Sequence, residues 1–241
     1  MQNETWNDKL LEMATISTSK RRTYDDGCAA AHALDLVGER WALLVVRELL
    51  LGPKRFTDLR AGLPGVSPNV LTQRLGELEQ AGIVRRRKLP PPAASRVYEL
   101  TSWGLDLEPV IVSLGRWGAR SPSKPQDAGL SIDSLILSFR TMFDADAAEG
   151  IEALYDIRLG EDRFRAIVAD GQLDIIRGDA SPSDAIVETD AGTMTALVYG
   201  ERRLDEALRA GDVRIEGDRS AVAQFLTFFP LPTPAASAIG A

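Results

Sequence analysis

A chain of 241 residues, 44% hydrophobic and 26% charged, has the composition of a soluble globular protein with room for one large domain or two ordinary ones. It contains no run of about 18 apolar residues, which excludes a membrane-spanning helix; its single cysteine excludes an internal disulfide and suits a reducing cytoplasm. The net charge of −7 speaks against nucleic acid as a partner of the whole, yet Met1 to Ser121 holds 17 cationic against 14 anionic residues and the rest 11 against 21, so the first half alone is suited to a polyanion.

Residues 1–24 read as an N-terminal arm with no signal-peptide pattern, in which Trp6, Leu10, Leu11 and Met13 could dock on a partner chain. Ala29 to Val37 reads as a helix. Trp41 to Leu51, "WALLVVRELLL", is apolar almost all round, as in a central helix, and Gly52-Pro53 stops it. Phe56 to Ala61 forms a short helix. Ser67 is a good N-cap and Pro68 suits the first helical position of a helix running from Asn69 to Ala81, with Gly82 as its C-cap. Leu71, Leu75 and Leu78 share its inner side; Asn69, Gln73, Gly76 and Gln80 fall opposite, with Thr72 and Glu77 at the flanks. Ile83 to Leu89 and Arg96 to Leu100 read as strands joined by "PPPAAS". Thr101 caps one last helix with an apolar stripe of Leu107, Val110, Ile111, Leu114 and Trp117. The Pro-containing stretch after Ser121 marks a linker over residues 122–129.

Three helices followed by a two-stranded hairpin make a winged helix-turn-helix over residues 25–121, whose second turn-motif helix enters the major groove of duplex DNA. Asn and Gln read adenine edges and Thr touches a thymine methyl. The helix N-terminus at Ser67 offers N–H groups to a phosphate, and a basic strand neutralises others. The expected DNA-binding residues are therefore Ser67, Asn69, Thr72, Gln73, Arg74, Arg85, Arg86, Arg87, Lys88 and Arg96. Gly76, lacking a side chain, permits close approach.

The stretch "CAAAHALDLVGERWALLVVRELLLGPKRFTDLRAGLPGVSPNVLTQRLGELEQAGIVRRR", with "YELTSWGLDLEPVIVSLGRW" after it, resembles the HxlR family of bacterial transcription regulators. The resemblance implies a homodimer paired through the first and last helices of the domain, which places Leu107, Val110, Ile111, Leu114 and Trp117 at the dimer interface. It also makes Cys28 a candidate redox-sensing thiol. A helix N-terminus favours a thiolate, but Asp25 and Asp26 oppose one, so a small buried hydrophobe is the first reading of Cys28. Family members often carry a basic residue where Asn69 and Gly76 stand here, so the operator does not carry over. His32, the only histidine, lies one turn after Cys28; with no further Cys or His, no Cys/His zinc site is expected.

The second half alternates helices and strands. "IDSLILSFRTMF" is an amphipathic helix. Strands are expected at Tyr155 to Leu159, Arg163 to Ala169, Gln172 to Arg177 and Ala185 to Thr189, with Asp170-Gly171 as a hairpin turn. Asp190 or Thr193 opens a helix; a further helix stops at Gly211; Val213 to Glu216 is a strand and Ser220 to Phe229 a closing helix. The piece "DAIVETDAGTMTALVYGERRLDEALRAGDVRIEGDRSAVAQFLTFF" resembles the sterol-carrier-protein fold, which implies an α+β domain over residues 130–230 with an apolar tunnel. Its candidate ligand-binding lining is Leu135, Phe139, Met142, Met194, Leu197 and Phe225, with Leu208 and Phe228 beside them, although plain core suits most of these equally. Residues 231–241 read as a flexible tail.

The fold class expected is thus multi-domain: a mainly α winged helix-turn-helix followed by an α+β sterol-carrier-like domain. No catalytic constellation, cofactor motif or metal-ligand set stands out, so the chain reads as a non-enzyme. The expectation is a cytoplasmic, homodimeric, DNA-binding regulator reading a two-fold operator, with an apolar small molecule or lipid as effector and no membrane insertion. The alternative is a lipid or acyl carrier whose helical half serves only for dimerisation.

Overall fold

The computed structural model describes residues 23–125 and 129–236, and the chain divides between Arg40 and Trp41 into two units. Trp6, Leu10, Leu11 and Met13 of the arm lie outside the described residues. In the first unit, helix α1 (Ala29–Val37) follows an irregular stretch. There the Tyr24 N–H donates to Asp35 Oδ1 at 3.0 Å and the Cys28 N–H to Asp26 Oδ1 at 2.9 Å.

The second unit starts with α2 (Ala42–Leu49), which buries Val45, Val46 and Leu49. The helix stops two residues before the end of its apolar run, where Gly52 takes φ +125°, a conformation open to glycine. Helix α3 (Phe56–Gly62) adds Leu59 to the same core. Helix α4 (Pro68–Gln80) forms as its residues dictate: Ser67 Oγ accepts from the Val70 N–H at 3.3 Å, Pro68 fills the first turn, and Leu71, Leu75 and Leu78 are wholly buried. Ala81 is the cap and Gly82, at φ +73°, is the left-handed residue just past it.

Strands β1 (Val84–Lys88) and β2 (Arg96–Leu100) pair antiparallel, with Arg85 opposite Glu99 and Lys88 opposite Arg96. Lys54 adds a one-residue bridge to Tyr98 on the far side of β2. The single helix expected after Thr101 is two. Thr101 Oγ1 caps the short α5 (Ser102–Leu105), and α6 (Glu108–Ala119) begins anew. Pro109 explains the break, since it has no N–H to give to the Leu105 carbonyl four residues back and its ring collides there.

Helix α7 (Ile132–Met142) leads into a five-stranded sheet of order β5-β4-β3-β6-β7, formed by β3 (Ala153–Leu159), β4 (Asp162–Ala169), β5 (Gln172–Arg177), β6 (Ala185–Thr189) and β7 (Arg214–Gly217). Only β3 and β6 run parallel. Asp170 and Gly171 both take positive φ, 51° and 67°, the geometry of the tight turn whose twist matches paired strands. Asp190 rather than Thr193 caps α8 (Ala191–Tyr199); α9 (Leu204–Ala210) ends on Gly211 at φ +79°. The closing helix α10 (Arg219–Phe225) is shorter than its apolar run, ending on Leu226. Phe228 and Phe229 still turn inward and are buried.

Those phenylalanines complete an aromatic core. Phe139 stacks on Phe229 at 4.5 Å and meets Phe225 edge-on at 5.8 Å, and Tyr155 lies 4.7 Å from Phe225. Of the residues expected to line a tunnel, Leu135, Phe139 and Met194 are 0% exposed and sit within this core. Leu197, Phe225 and Met142 are also buried, as side chains of one interior. The tail is held, too, as far as it is described: the Ala235 N–H donates to the Arg120 carbonyl at 2.8 Å, and Arg120 Nε to the Thr233 carbonyl at 3.2 Å. Across the region expected as a linker, α7 packs on both α2 and α6, and Arg116 donates twice to the Thr141 carbonyl, at 3.1 and 2.7 Å.

Candidate nucleic-acid interface

Helix α4 divides cleanly. With its leucines turned inward, Ser67, Asn69, Thr72, Gln73 and Gln80 are exposed. Gln73 Nε2 donates to Glu77 Oε1 at 2.9 Å, one turn along, which steadies its amide. Arg74 departs from its sequence assignment. It is 7% exposed and paired with Glu77, which removes it from the water-facing side. The helical period itself explains this, because position 74 falls between Leu71 and Leu78 on the inner stripe.

On the wing, Arg85, Arg86, Arg87, Lys88 and Arg96 are all exposed. Alternation along β1 sends Arg85 and Arg87 to one face, and cross-strand register brings Glu99 between them. Arg85 Nε donates to Glu99 Oε1 at 2.8 Å and Arg87 Nε to Glu99 Oε2 at 2.7 Å. Burial works to raise the Glu99 pKa, but the hydrogen bonds and charges of Arg87 and Arg85 together hold it below the usual glutamate range. One carboxylate thus sets two guanidinium planes by their inner nitrogens. The side chains stay 65% and 45% exposed, with their terminal amino groups making no other hydrogen bond among the described residues. On the opposite face Arg86 lies over the Tyr98 ring at 5.4 Å and pairs with Glu79 of α4 at 3.0 Å, joining wing to helix. Fork-shaped donors held this way suit phosphate oxygens, and the exposed amides and hydroxyl of α4 suit base edges.

The proposed dimer residues stand apart from this surface. Helix α6 buries nothing in the chain: Val110, Leu114 and Trp117 are 51%, 48% and 74% exposed, and Leu107 and Ile111 are half-buried. Cys28 is exposed, contrary to the first reading of it as a packed hydrophobe. The N–H groups of Ala31 and then Ala30 lower its thiol pKa, against a small opposing effect of burial. His32 is exposed as well.

Among the described residues no three Cys, His, Asp or Glu side chains are grouped to hold a metal, and no helix is long and apolar enough to cross a membrane. Two hollows open on the surface of the described residues. One, of about 480 Å³, is lined by Asp146, Glu149, Glu152 and Asp170; the other, of about 330 Å³, by Arg116, Met142, Phe143 and Pro230. Of the six candidate ligand residues only Met142 touches either. Sequence reasoning missed Glu99, although counting back through a hairpin from "YEL" would have set it against the basic strand. It also missed Lys54, whose partners include Tyr98 and Asp133, far away in the chain.

Comparison with known proteins divides the chain in the same region as the Pro-containing stretch. The HxlR-like helix-turn-helix profile matches residues 36–125, and the alkyl sulfatase C-terminal profile residues 126–235. The uncharacterized HTH-type transcriptional regulator YvaP of Bacillus subtilis is 39% identical over 85 residues, covering 35% of this chain and 79% of that protein. The HTH-type transcriptional regulator YodB of the same organism is 39% identical over 85 residues, 35% of this chain and 76% of YodB. Among solved structures, the reduced form of YodB aligns at 34% identity and TM-score 0.37, over 41% of this chain and 98% of that one. A double mutant of the sec-alkyl sulfatase PisA1 aligns at 18% identity and TM-score 0.39, over 45% of this chain but 17% of the sulfatase.

Proposed function

Since the chain belongs to the HxlR-like helix-turn-helix family of transcriptional regulators, we propose that it is a cytoplasmic regulator that binds duplex DNA as a homodimer. Residues 25–121 form the DNA-binding and dimerising part and residues 130–230 the sterol-carrier-like part. Asn69, Thr72 and Gln73 enter the major groove, with Ser67 at the phosphate-facing end of α4. Arg85, Arg86, Arg87, Lys88 and Arg96 lie along the sugar-phosphate backbone. The apolar side of α6, from Leu107 to Trp117, pairs two protomers so that their α4 helices meet successive major grooves of a two-fold site, roughly 34–36 Å apart.

The observation that carries this reading is the junction of wing and helix. Arg86, 3.0 Å from Glu79, sets a basic strand beside the polar face of α4. A patch so arranged neutralises phosphates next to a surface able to read bases. The acidic second half, net −10 after Ser121, keeps the remainder of the chain off DNA. The lipid-carrier alternative and an apolar effector both need interior space at Leu135, Phe139 and Met194, and the burial of these side chains favours the reading without an interior ligand.

A gel-shift titration with duplex DNA from upstream of its own gene, repeated at several salt concentrations, tests the reading. Saturable binding that weakens steeply with salt is expected, the logarithm of affinity falling by about 0.9 per phosphate neutralised for each decade of salt. Absence of saturable binding at low salt ends it.

A further inference from the structure

Besides the Arg86–Glu79 ion pair and the buried Val84, Val97 and Leu100, the wing is tied to the rest of the chain through Lys54. The Lys54 N–H donates to the Tyr98 carbonyl at 3.0 Å, and its own carbonyl accepts the Tyr98 N–H at 2.8 Å. Lys54 is therefore a third strand at the base of the wing, one residue long. A single bridged residue is a weak element by itself, because two backbone bonds barely offset the ordering of the chain that makes them. What fixes it is the ammonium group, at the end of a side chain 13% exposed and held by two carboxylates. Glu48, on α2, accepts at 2.9 Å; the other is Asp133, on α7, in the sterol-carrier-like half.

Each carboxylate is secured in turn. Glu48 is wholly buried and takes the Ser131 hydroxyl and Arg47 Nη2, each at 2.8 Å. There is no slack around it, since a methyl group at Gly62 would overlap its Oε2. Asp133, 4% exposed, accepts with its second oxygen from Arg177 Nη2 of β5 at 2.8 Å, and that guanidinium lies 4.7 Å over the Phe164 ring. Charge-assisted bonds inside a dry interface are strong and directional, and a buried partner cannot be replaced by water. The path from sheet to wing is continuous: Arg177, Asp133, Lys54, the Tyr98 main chain, and then the Tyr98 ring with Arg86 lying over it.

We propose that Asp133 is a positioning residue for DNA binding: from the sterol-carrier-like half it holds Lys54, and through Lys54 it sets the base of the wing and the guanidinium of Arg86. This rests on the DNA-binding reading above and deepens it. The second half is then a part of the DNA-reading surface's scaffold, where a tethered separate domain would have left Lys54 with Glu48 alone.

The test compares Asp133→Asn with Arg177→Met in the full chain. Asp133→Asn removes the charge that holds Lys54. Arg177→Met removes the other partner of Asp133 and leaves the Lys54 contact in place, so it serves as the control for general loss of packing. Hydrogen–deuterium exchange of the peptide spanning Arg96 to Leu100, which carries the Tyr98 amide, reports the wing directly. Asp133→Asn should speed that exchange and weaken binding to DNA from upstream of its own gene about tenfold, within the range by which coupled residues act at a distance. Arg177→Met should do neither, even where both lower the melting temperature alike. Unchanged wing exchange in Asp133→Asn overturns the proposal, and so do equal effects of the two variants on exchange and affinity. A wild-type chain that fails to bind DNA sinks the DNA-binding reading instead, while faster exchange in Asp133→Asn alone would still uphold the hold on the wing.

Discussion

Helices α6 and α7 follow one another in the chain, have nearly equal lengths and are similarly apolar, yet they meet opposite fates. Helix α7 buries eight of its eleven residues; α6, with twelve, buries none. The difference lies in what each has on its two sides. Helix α7 is a middle layer, with α2 and α6 on one side and the sheet and α8 on the other, so its apolar residues, and even Asp133 and Thr141, are covered within the chain. Helix α6 has α7 along one side, where Gly115 lets Thr141 approach, while Val110, Leu114 and Trp117 stay exposed among the described residues. An apolar period announces that a surface needs covering. It does not announce whether the cover comes from the same chain.

Substitutions in the two helices should therefore fail in different ways. Phe139→Ala in α7 removes the ring that stacks on Phe229 and should cost about 3–5 kcal/mol of stability in a denaturant titration. A loss below about 1 kcal/mol would mean that the aromatic core is looser than its contacts imply. Trp117→Glu in α6 should change the stability of the chain by only about 0.5 kcal/mol, because the ring is 74% exposed within one chain. It should instead weaken self-association roughly thirtyfold or more, as loss of an aromatic anchor does. Analytical ultracentrifugation decides, and a Trp117→Glu protein that stays as dimeric as the wild type would remove α6 from the interface.

A smaller effect tests whether the covered carboxylate of the wing serves its uncovered arginines. Glu99→Gln adds one unit of positive charge, so simple attraction to DNA predicts tighter binding. If Glu99 instead aims Arg85 and Arg87, binding to DNA from upstream of its own gene should weaken severalfold, in keeping with about 1 kcal/mol per charge-assisted bond partly lost. Tighter binding would dismiss the aiming role. The pH dependence has a definite sign. The folded pKa of Glu99 is depressed, so its contribution to wing stability is complete above the unfolded value of about 4.3. It is lost as pH falls through the lower, folded value. Protection of the wing amides, taken relative to their intrinsic exchange at each pH, should be unchanged from neutral pH down to that region and fall below it.

What could be read from the sequence was what local chemistry decides. The Ser67-Pro68 start of α4, its leucine stripe, the Asp170-Gly171 turn and the basic strand each depend on neighbours a few residues away, and each appears where expected. The break at Pro109 is legible too, since a proline within the stripe ends the hydrogen-bond ladder there. Other features depended on distance. Nothing near Lys54 in sequence points to Asp133, 79 residues on. Whether Phe139 and Met194 line a tunnel or fill a core depends on where Phe225 and Phe229 fold back, and apolar spacing is the same in both cases. Arg74 was assigned to DNA by its charge although its helical position placed it inward; there the period was the better guide.

The smallest effect expected comes from Gly76, on the outer side of α4, and there stability and function should move in opposite directions. A Cβ at that position would meet nothing within 4 Å, and its backbone is ordinary helix. Alanine should thus stabilise the chain by about 0.5–1 kcal/mol, the usual gain for glycine replaced inside an exposed helix. That gain corresponds to a rise in melting temperature of about 2 °C. If α4 lies in the major groove on its Asn69–Gln73 side, the same methyl group comes between the helix backbone and the DNA, and affinity should fall severalfold even as the protein melts later. A variant that is more stable and binds equally well would turn Gly76 away from the DNA, rotating the reading face toward Ser67 and Asn69 and leaving the wing with most of the contact.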